Sequence, residues 1–122
     1  MCIRDRVNKV KKIGFSKIKI TQSIEEAIYG AEILYTDVWA SMGEKDKIEE
    51  KEKALKGFQI NSNILRFSDK KAIIMHCLPA ERNKEITDEV LEGSRSVVFD
   101  QAENRLHAQK GSLVQLNRWL SV

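Results

Sequence analysis

The chain has little proline and little cysteine: one of the first and two of the second in 122 residues. Cys2 stands near the start and Cys77 at the end of an apolar run, which is no disulfide framework and fits a reducing compartment. No CxxC pair or spaced His/Cys set points to zinc. His76 and Cys77 are neighbours, and neighbours on a strand point to opposite faces, so no metal is expected there. No apolar run reaches the roughly 20 residues of a membrane span, and the opening MCIRDR lacks the apolar centre of a signal peptide. The net charge is only +3, with no basic stripe interleaved with aromatics, which argues against nucleic acid as a partner. There is no GxGxxG turn, so a dinucleotide site has no direct support.

What is present is an ordinary globular composition, 42% apolar and 32% charged, in a chain long enough for one domain with a modest core. Met1–Arg6 carries no pattern and is left out of the fold. Val7–Ile13 reads as the tail of a helix stopped by Gly14. Lys17–Ile20 alternates and predicts a strand. Thr21 or Ser23 caps a helix over Ile24–Tyr29, with Glu25 and Glu26 in the first turn and Gly30 at its end.

Ile33–Tyr35 is a second strand, ending at Thr36-Asp37-Val38-Trp39. Glu44–Gly57 is dense in charge and predicts a solvated helix or a lid. Phe58–Ile60 reads as extended, and Asn61 or Ser62 caps a helix over Ile64–Phe67. Lys71–Met75 is a third strand, Thr87–Leu91 a short helix capped by Thr87, and Ser96–Phe99 a fourth strand ending at Asp100. A long helical pattern runs from Ala102 to Leu120, with Leu106, Leu113, Leu116 and Leu120 near one face. The alternation predicts an α/β fold: a partial doubly wound parallel sheet with helices on both faces.

In such a sheet the strand ends share one edge, where ligands bind. That edge would gather Asp37 and Ser41, then His76 and Cys77, then Asp100, Glu103, Asn104 and Arg105. Singly, each has a plain structural explanation: Asp37 as a turn cap, Cys77 as a small buried hydrophobe, Arg105 as a solvated helix residue. Jointly they suggest a small-molecule site with an anion-holding arginine and a cation-holding carboxylate.

Three stretches in order, YTDVWASMG (35–43), MHCLPAER (75–82) and VVFDQAENRLHAQK (97–110), resemble the C-terminal half of the ornithine carbamoyltransferases. SIEEAIYGAEILYTDVW and ITDEVLEG are similar to that family too, so the resemblance covers about Lys17 to Leu113. It implies that 17–122 is a partial ornithine-binding α/β domain with a C-terminal helix, and that 1–16 lies outside it. The family joins L-ornithine to carbamoyl phosphate, giving citrulline and phosphate, without metal or organic cofactor, and assembles as trimers. By motif, Asp37 would hold the α-ammonium of ornithine. Ser41 and Met42 would belong to a closing loop. Cys77 and Leu78 would line the reacting centre, with Cys77 near the attacking δ-amine and a cis peptide at Leu78-Pro79. Arg105 would contact carbamoyl phosphate.

The chemistry is consistent with these roles. The attacking amine must be neutral, and deprotonating an alkyl ammonium of pKa ~10.4 at pH 7 costs about 4–5 kcal/mol. A dry site offsets part of that. A carboxylate beside the δ-amine would do the reverse, so Asp37 belongs on the α-ammonium. An arginine at the carbamoyl oxygen stabilises charge developing during attack, and lid closure at Ser41-Met42 excludes water. The resemblance also implies the acceptor: the pattern of aspartate-using relatives has proline after the histidine where this chain has Cys77, and that of putrescine-using relatives lacks the Ser41-Met42-Gly43 loop, so the chain is most similar to the ornithine-using members.

The family's phosphate-binding Ser-Thr-Arg-Thr-Arg motif is absent, so the chain is expected to be a fragment lacking the carbamoyl phosphate domain and inactive alone; its cysteine usage leads to the expectation of a cytoplasmic protein. The runner-up reading is a non-catalytic α/β binding or interaction module using the same strand ends. Half of a nucleotide-binding dehydrogenase is weaker for want of a glycine-rich turn.

Overall fold

A computed structural model describes residues 3–40 and 48–120 of the chain. Helix α1 spans Ile3–Ile13, four residues longer at its start than the sequence pattern indicated, and ends at Gly14 as expected. Helix α2 spans Ile24–Ile28. Of its two candidate caps, Ser23 holds the N-cap position, its hydroxyl accepting the Glu26 N–H at 3.2 Å. Gly30 follows at φ +66°, a left-handed turn that a side chain would strain, and donates its N–H to Phe67 O at 3.0 Å.

The sheet consists of two parallel strands, β1 (Ile33–Thr36) and β2 (Ile73–His76), paired Ile33 to Ile73 through Thr36 to His76. Period two sets their faces. Leu34, Ile74 and His76 are buried, whereas Ile33 and Tyr35 are exposed. Ala72, Ile28, Leu65, Ile60, Ile86, Val90, Leu91 and Val98 complete the core around them.

Two of the expected strands are absent. Lys17–Ile20 pairs with no strand among the described residues, and Ile20 is exposed. Its alternation supplies a pattern without a ladder partner, and Lys19 turns outward to Glu26 at 2.5 Å. Ser96–Phe99 makes one parallel bridge, Ser96 to Ile74, and then coils. The Ile74 N–H donates to Arg95 O at 2.9 Å and the Val97 N–H to Ile74 O at 3.0 Å, after which Val98 opens a helix. The β-branched pair Val97-Val98 is therefore the entry to a helix, and Asp100 sits in its first turn, not at a strand end.

Helix α3 spans Ile48–Leu55 and runs into a 3-10 turn at Lys56–Phe58, so Phe58 is not extended; the start of the charged segment, residues 44–47, lies outside the described residues. Ile64–Phe67 is a 3-10 turn. Its N-cap position falls on Asn63, whose side chain makes no capping bond; Asn61, two residues earlier, accepts the N–H groups of Asn63 and Ile64 with its Oδ1 at 3.1 Å each. Helix α4 spans Asp88–Leu91 with Thr87 at its N-cap, but the Thr87 hydroxyl makes no capping bond. The Asp88 N–H goes instead to Asn83 Oδ1 at 3.3 Å. Gly93 closes α4, and a Cβ there would meet Glu89 O at 2.9 Å. Helix α5 spans Val98–Leu120 and passes through Gly111 unbroken. Beyond Val98 its apolar residues are open to solvent, including Leu106, Leu113, Leu116, Trp119 and Leu120. Among the described residues no helix is long and apolar enough to cross a membrane.

Candidate functional site

The register of the sheet builds the site. Thr36 lies opposite His76, so the next residue on each strand, Asp37 and Cys77, emerges at the same carboxyl edge. The Cys77 thiol donates to Asp37 Oδ1 at 2.9 Å. The Val38 N–H donates to the same oxygen at 2.8 Å. The thiol holds the Asp37 carboxyl below the usual carboxylate range, against the opposing effect of burial, and the Val38 amide adds to the lowering. The same hydrogen bond, with burial and the Asp37 charge, raises the Cys77 thiol above its usual range, while Arg105 opposes the rise.

Beside Cys77 is an open hollow of about 630 Å³ lined by Cys77, Leu78, Pro79, Ala102, Arg105 and Leu106. One turn after β2 and one face of α5 thus bring a thiol, an apolar floor and a guanidinium together. The Leu78-Pro79 bond is cis, as the resemblance implied, and Leu78 lies at φ +55°. A leucine in that left-handed region costs about 1–2 kcal/mol, so the surrounding contacts must hold it there.

Those contacts include His76, which the sequence placed at the ligand edge but which turns into the core, and Glu85, which the sequence reading did not assign. His76 and Glu85 are both fully buried, with His76 Nε2 3.1 Å from Glu85 Oε1. The Leu78 N–H donates to His76 Nδ1 at 2.9 Å. A ring nitrogen that accepts carries no hydrogen, so the ring hydrogen is on Nε2 and goes to Glu85. Glu85 Oε1 also accepts the Glu81 N–H at 2.6 Å. From α5, Gln101 Oε1 accepts the His76 N–H at 3.1 Å while its Nε2 donates to Tyr35 Oη at 3.0 Å. Gln101 therefore ties the start of α5 to both strands. Nothing in the sequence spacing marks Glu85, because its partner lies nine residues away across a turn.

Of the residues expected at the site, Asp37, Cys77, Leu78 and Arg105 converge. Ser41 and Met42 lie outside the described residues. Asp100, Glu103 and Asn104 are exposed on α5, and Glu103 faces His107 at 3.4 Å. Among the described residues no group of three or more His, Cys, Asp or Glu is arranged to hold a metal ion.

Residues 2–116 match the family model described as aspartate/ornithine carbamoyltransferase, Asp/Orn binding domain. The chain is 49% identical over 110 residues to the chloroplastic ornithine carbamoyltransferase of Pisum sativum, covering 90% of this chain and 29% of that protein. It is 50% identical over 112 residues to the catabolic ornithine carbamoyltransferase of Thermoplasma volcanium, covering 92% of this chain and 37% of the relative. The crystal structure of the anabolic ornithine carbamoyltransferase of Campylobacter jejuni superposes with a TM-score of 0.86 at 35% identity, over 95% of this chain and 38% of that one. The chain thus spans about a third of the length of the curated relatives it matches.

Proposed function

The chain belongs to the aspartate/ornithine carbamoyltransferase family through its Asp/Orn binding domain, and we propose that it supplies the ornithine half of a carbamoyl-transfer site. The reaction is attack of the δ-amine of L-ornithine on the carbamoyl carbon of carbamoyl phosphate, giving L-citrulline and phosphate. The observation that carries this reading is the 2.9 Å contact of Cys77 with Asp37 at the rim of a hollow that Arg105 also lines.

Asp37, held ionised by its hydrogen bonds, takes the α-ammonium of ornithine. Cys77 and Leu78 border the δ-amine, and the apolar floor of Leu78 and Pro79 disfavours its charged form. Arg105 faces the carbamoyl phosphate and stabilises negative charge as the amine attacks. Ser41 and Met42 belong to the loop that closes over ornithine. The carbamoyl phosphate itself is held mainly by residues outside the matched domain, in an enzyme assembled as a trimer. Cysteine usage without a disulfide framework fits a reducing compartment such as the cytoplasm.

The test is complementation. The chain is mixed with a separately produced N-terminal half of a full-length relative, and citrulline is measured from ornithine and carbamoyl phosphate. Citrulline formed by the mixture and by neither piece alone supports the reading. Stable association of the two pieces without turnover counts against it and favours a non-catalytic binding module.

A further inference from the structure

The buried pair behind the site has no role in the transfer chemistry described above, yet it is built into the turn that carries Cys77. Leu78 donates its N–H to the side chain of His76, two residues earlier, closing a ring of backbone and imidazole around Cys77. This is the geometry by which an Asn or Asp side chain holds a turn, performed here by a histidine. It works only when Nδ1 carries no hydrogen, and Glu85 satisfies that condition by accepting the Nε2–H at 3.1 Å. Glu85 is itself fixed from both sides: Oε1 accepts the Glu81 N–H at 2.6 Å, and its backbone O accepts the Ile60 N–H at 2.8 Å. Its Oε2 is buried and has no hydrogen-bond partner among the described residues. A buried polar atom left unmatched calls for an explanation beyond packing, and aiming Oε1 at both donors supplies one.

We propose that Glu85 and His76 are positioning residues: the Glu85 carboxyl fixes the His76 ring as the Nε2–H tautomer, and Nδ1 then holds the Leu78 N–H so that Cys77 meets Asp37 and Leu78 keeps its left-handed backbone at the hollow. The inference rests on the carbamoyl-transfer reading only in calling this edge a substrate site. Its test uses no substrate, so its failure leaves that reading standing, and failed complementation leaves the positioning role standing.

The experiment follows the pH dependence of Cys77 alkylation by iodoacetamide in the chain carrying Cys2→Ser, with folding checked by thermal unfolding. The amide oxygen of asparagine occupies the place of Nδ1, and the amide of glutamine that of Nε2. His76→Asn therefore keeps the acceptor for Leu78 and leaves the profile where it was. His76→Gln keeps the Glu85 contact but frees Leu78, so the thiol leaves Asp37, the profile moves to lower pH and alkylation at neutral pH rises several-fold. Glu85→Gln preserves the acceptor and the profile, and Glu85→Leu displaces it like His76→Gln. A merely structural pair would show loss of stability in all four variants without this split. Equal displacement in His76→Asn and His76→Gln, or none in either, overturns the proposal. If His76→Gln or Glu85→Leu does not fold, nitrogen NMR of the labelled ring in the unsubstituted chain decides: hydrogen on Nε2 upholds the proposal and hydrogen on Nδ1 refutes it.

Discussion

The Cys77 thiol rests 2.9 Å from Asp37 Oδ1, joining the residue after β2 to the residue after β1. Because the strands are parallel and in register, neither residue needs a long loop to reach the other. The carboxylate is therefore the group that sets how readily the thiol ionises. Asp37→Asn removes both the acceptor and the charge, while Arg105 still favours the thiolate. Alkylation of Cys77 is expected to begin at lower pH in that variant, with the thiolate population rising about tenfold for each unit the thiol falls. Unchanged alkylation would show that the contact does not govern the thiol in solution.

The same pair makes folding stability depend on pH at both ends. Asp37 is lowered in the folded chain, so its contribution is present above the unfolded carboxyl range and lost as pH falls through the folded value. Cys77 is raised, so its contribution is present below the unfolded thiol range and lost as pH rises through the folded value. Thermal midpoints measured across pH are expected to form a plateau between those limits. Asp37→Asn should flatten both shoulders, which a comparison of the two midpoint curves checks directly.

Ile86 is fully buried and pairs its segment with Ile60, tying the turn after β2 to the chain preceding the 3-10 turn. Ile86→Ala leaves a cavity there and is expected to cost about 2–5 kcal/mol by urea unfolding. Leu106→Ala, on the exposed face of α5, is the matched control and should cost far less.

Helix α5 carries Leu113, Leu116, Trp119 and Leu120 into solvent, with Leu120 86% exposed. An open apolar stripe of this kind promotes association. The chain is expected to self-associate in sedimentation, and Leu113→Lys with Leu116→Lys should shift it toward the monomer. A clean monomer before substitution would contradict this.

Much of this arrangement was legible in the sequence because it rests on local signals. The run Ala72–Met75 ends at a proline turn and Gly30 stops α2, as the sequence indicated, while of the paired candidates before the two short helical turns the structure uses Ser23 and Asn61 as acceptors. The two missing strands were misread for opposite reasons. Lys17–Ile20 has the alternation but no partner, and a strand exists only as part of a ladder. Val97-Val98 has the β-branched composition, but one bridge to Ile74 uses the pairing available before the helix begins. The site was half legible. Asp37, Cys77, Leu78 and Arg105 follow from motif and topology, whereas Glu85 and Gln101 act through contacts across a turn and between elements, which spacing does not encode.

The most direct measurement of the central claim is citrulline formation by the complemented enzyme with Asp37→Ala, Cys77→Ala and Arg105→Ala, set against exposed Arg66→Ala. If this edge is the ornithine half of the transfer site, Arg105→Ala lowers kcat by about 10²–10³, the loss typical of a group that stabilises developing charge. Asp37→Ala chiefly raises the KM for ornithine, Cys77→Ala lowers turnover, and Arg66→Ala changes nothing. Full activity in the Asp37 and Arg105 variants would contradict the account and place the chemistry elsewhere.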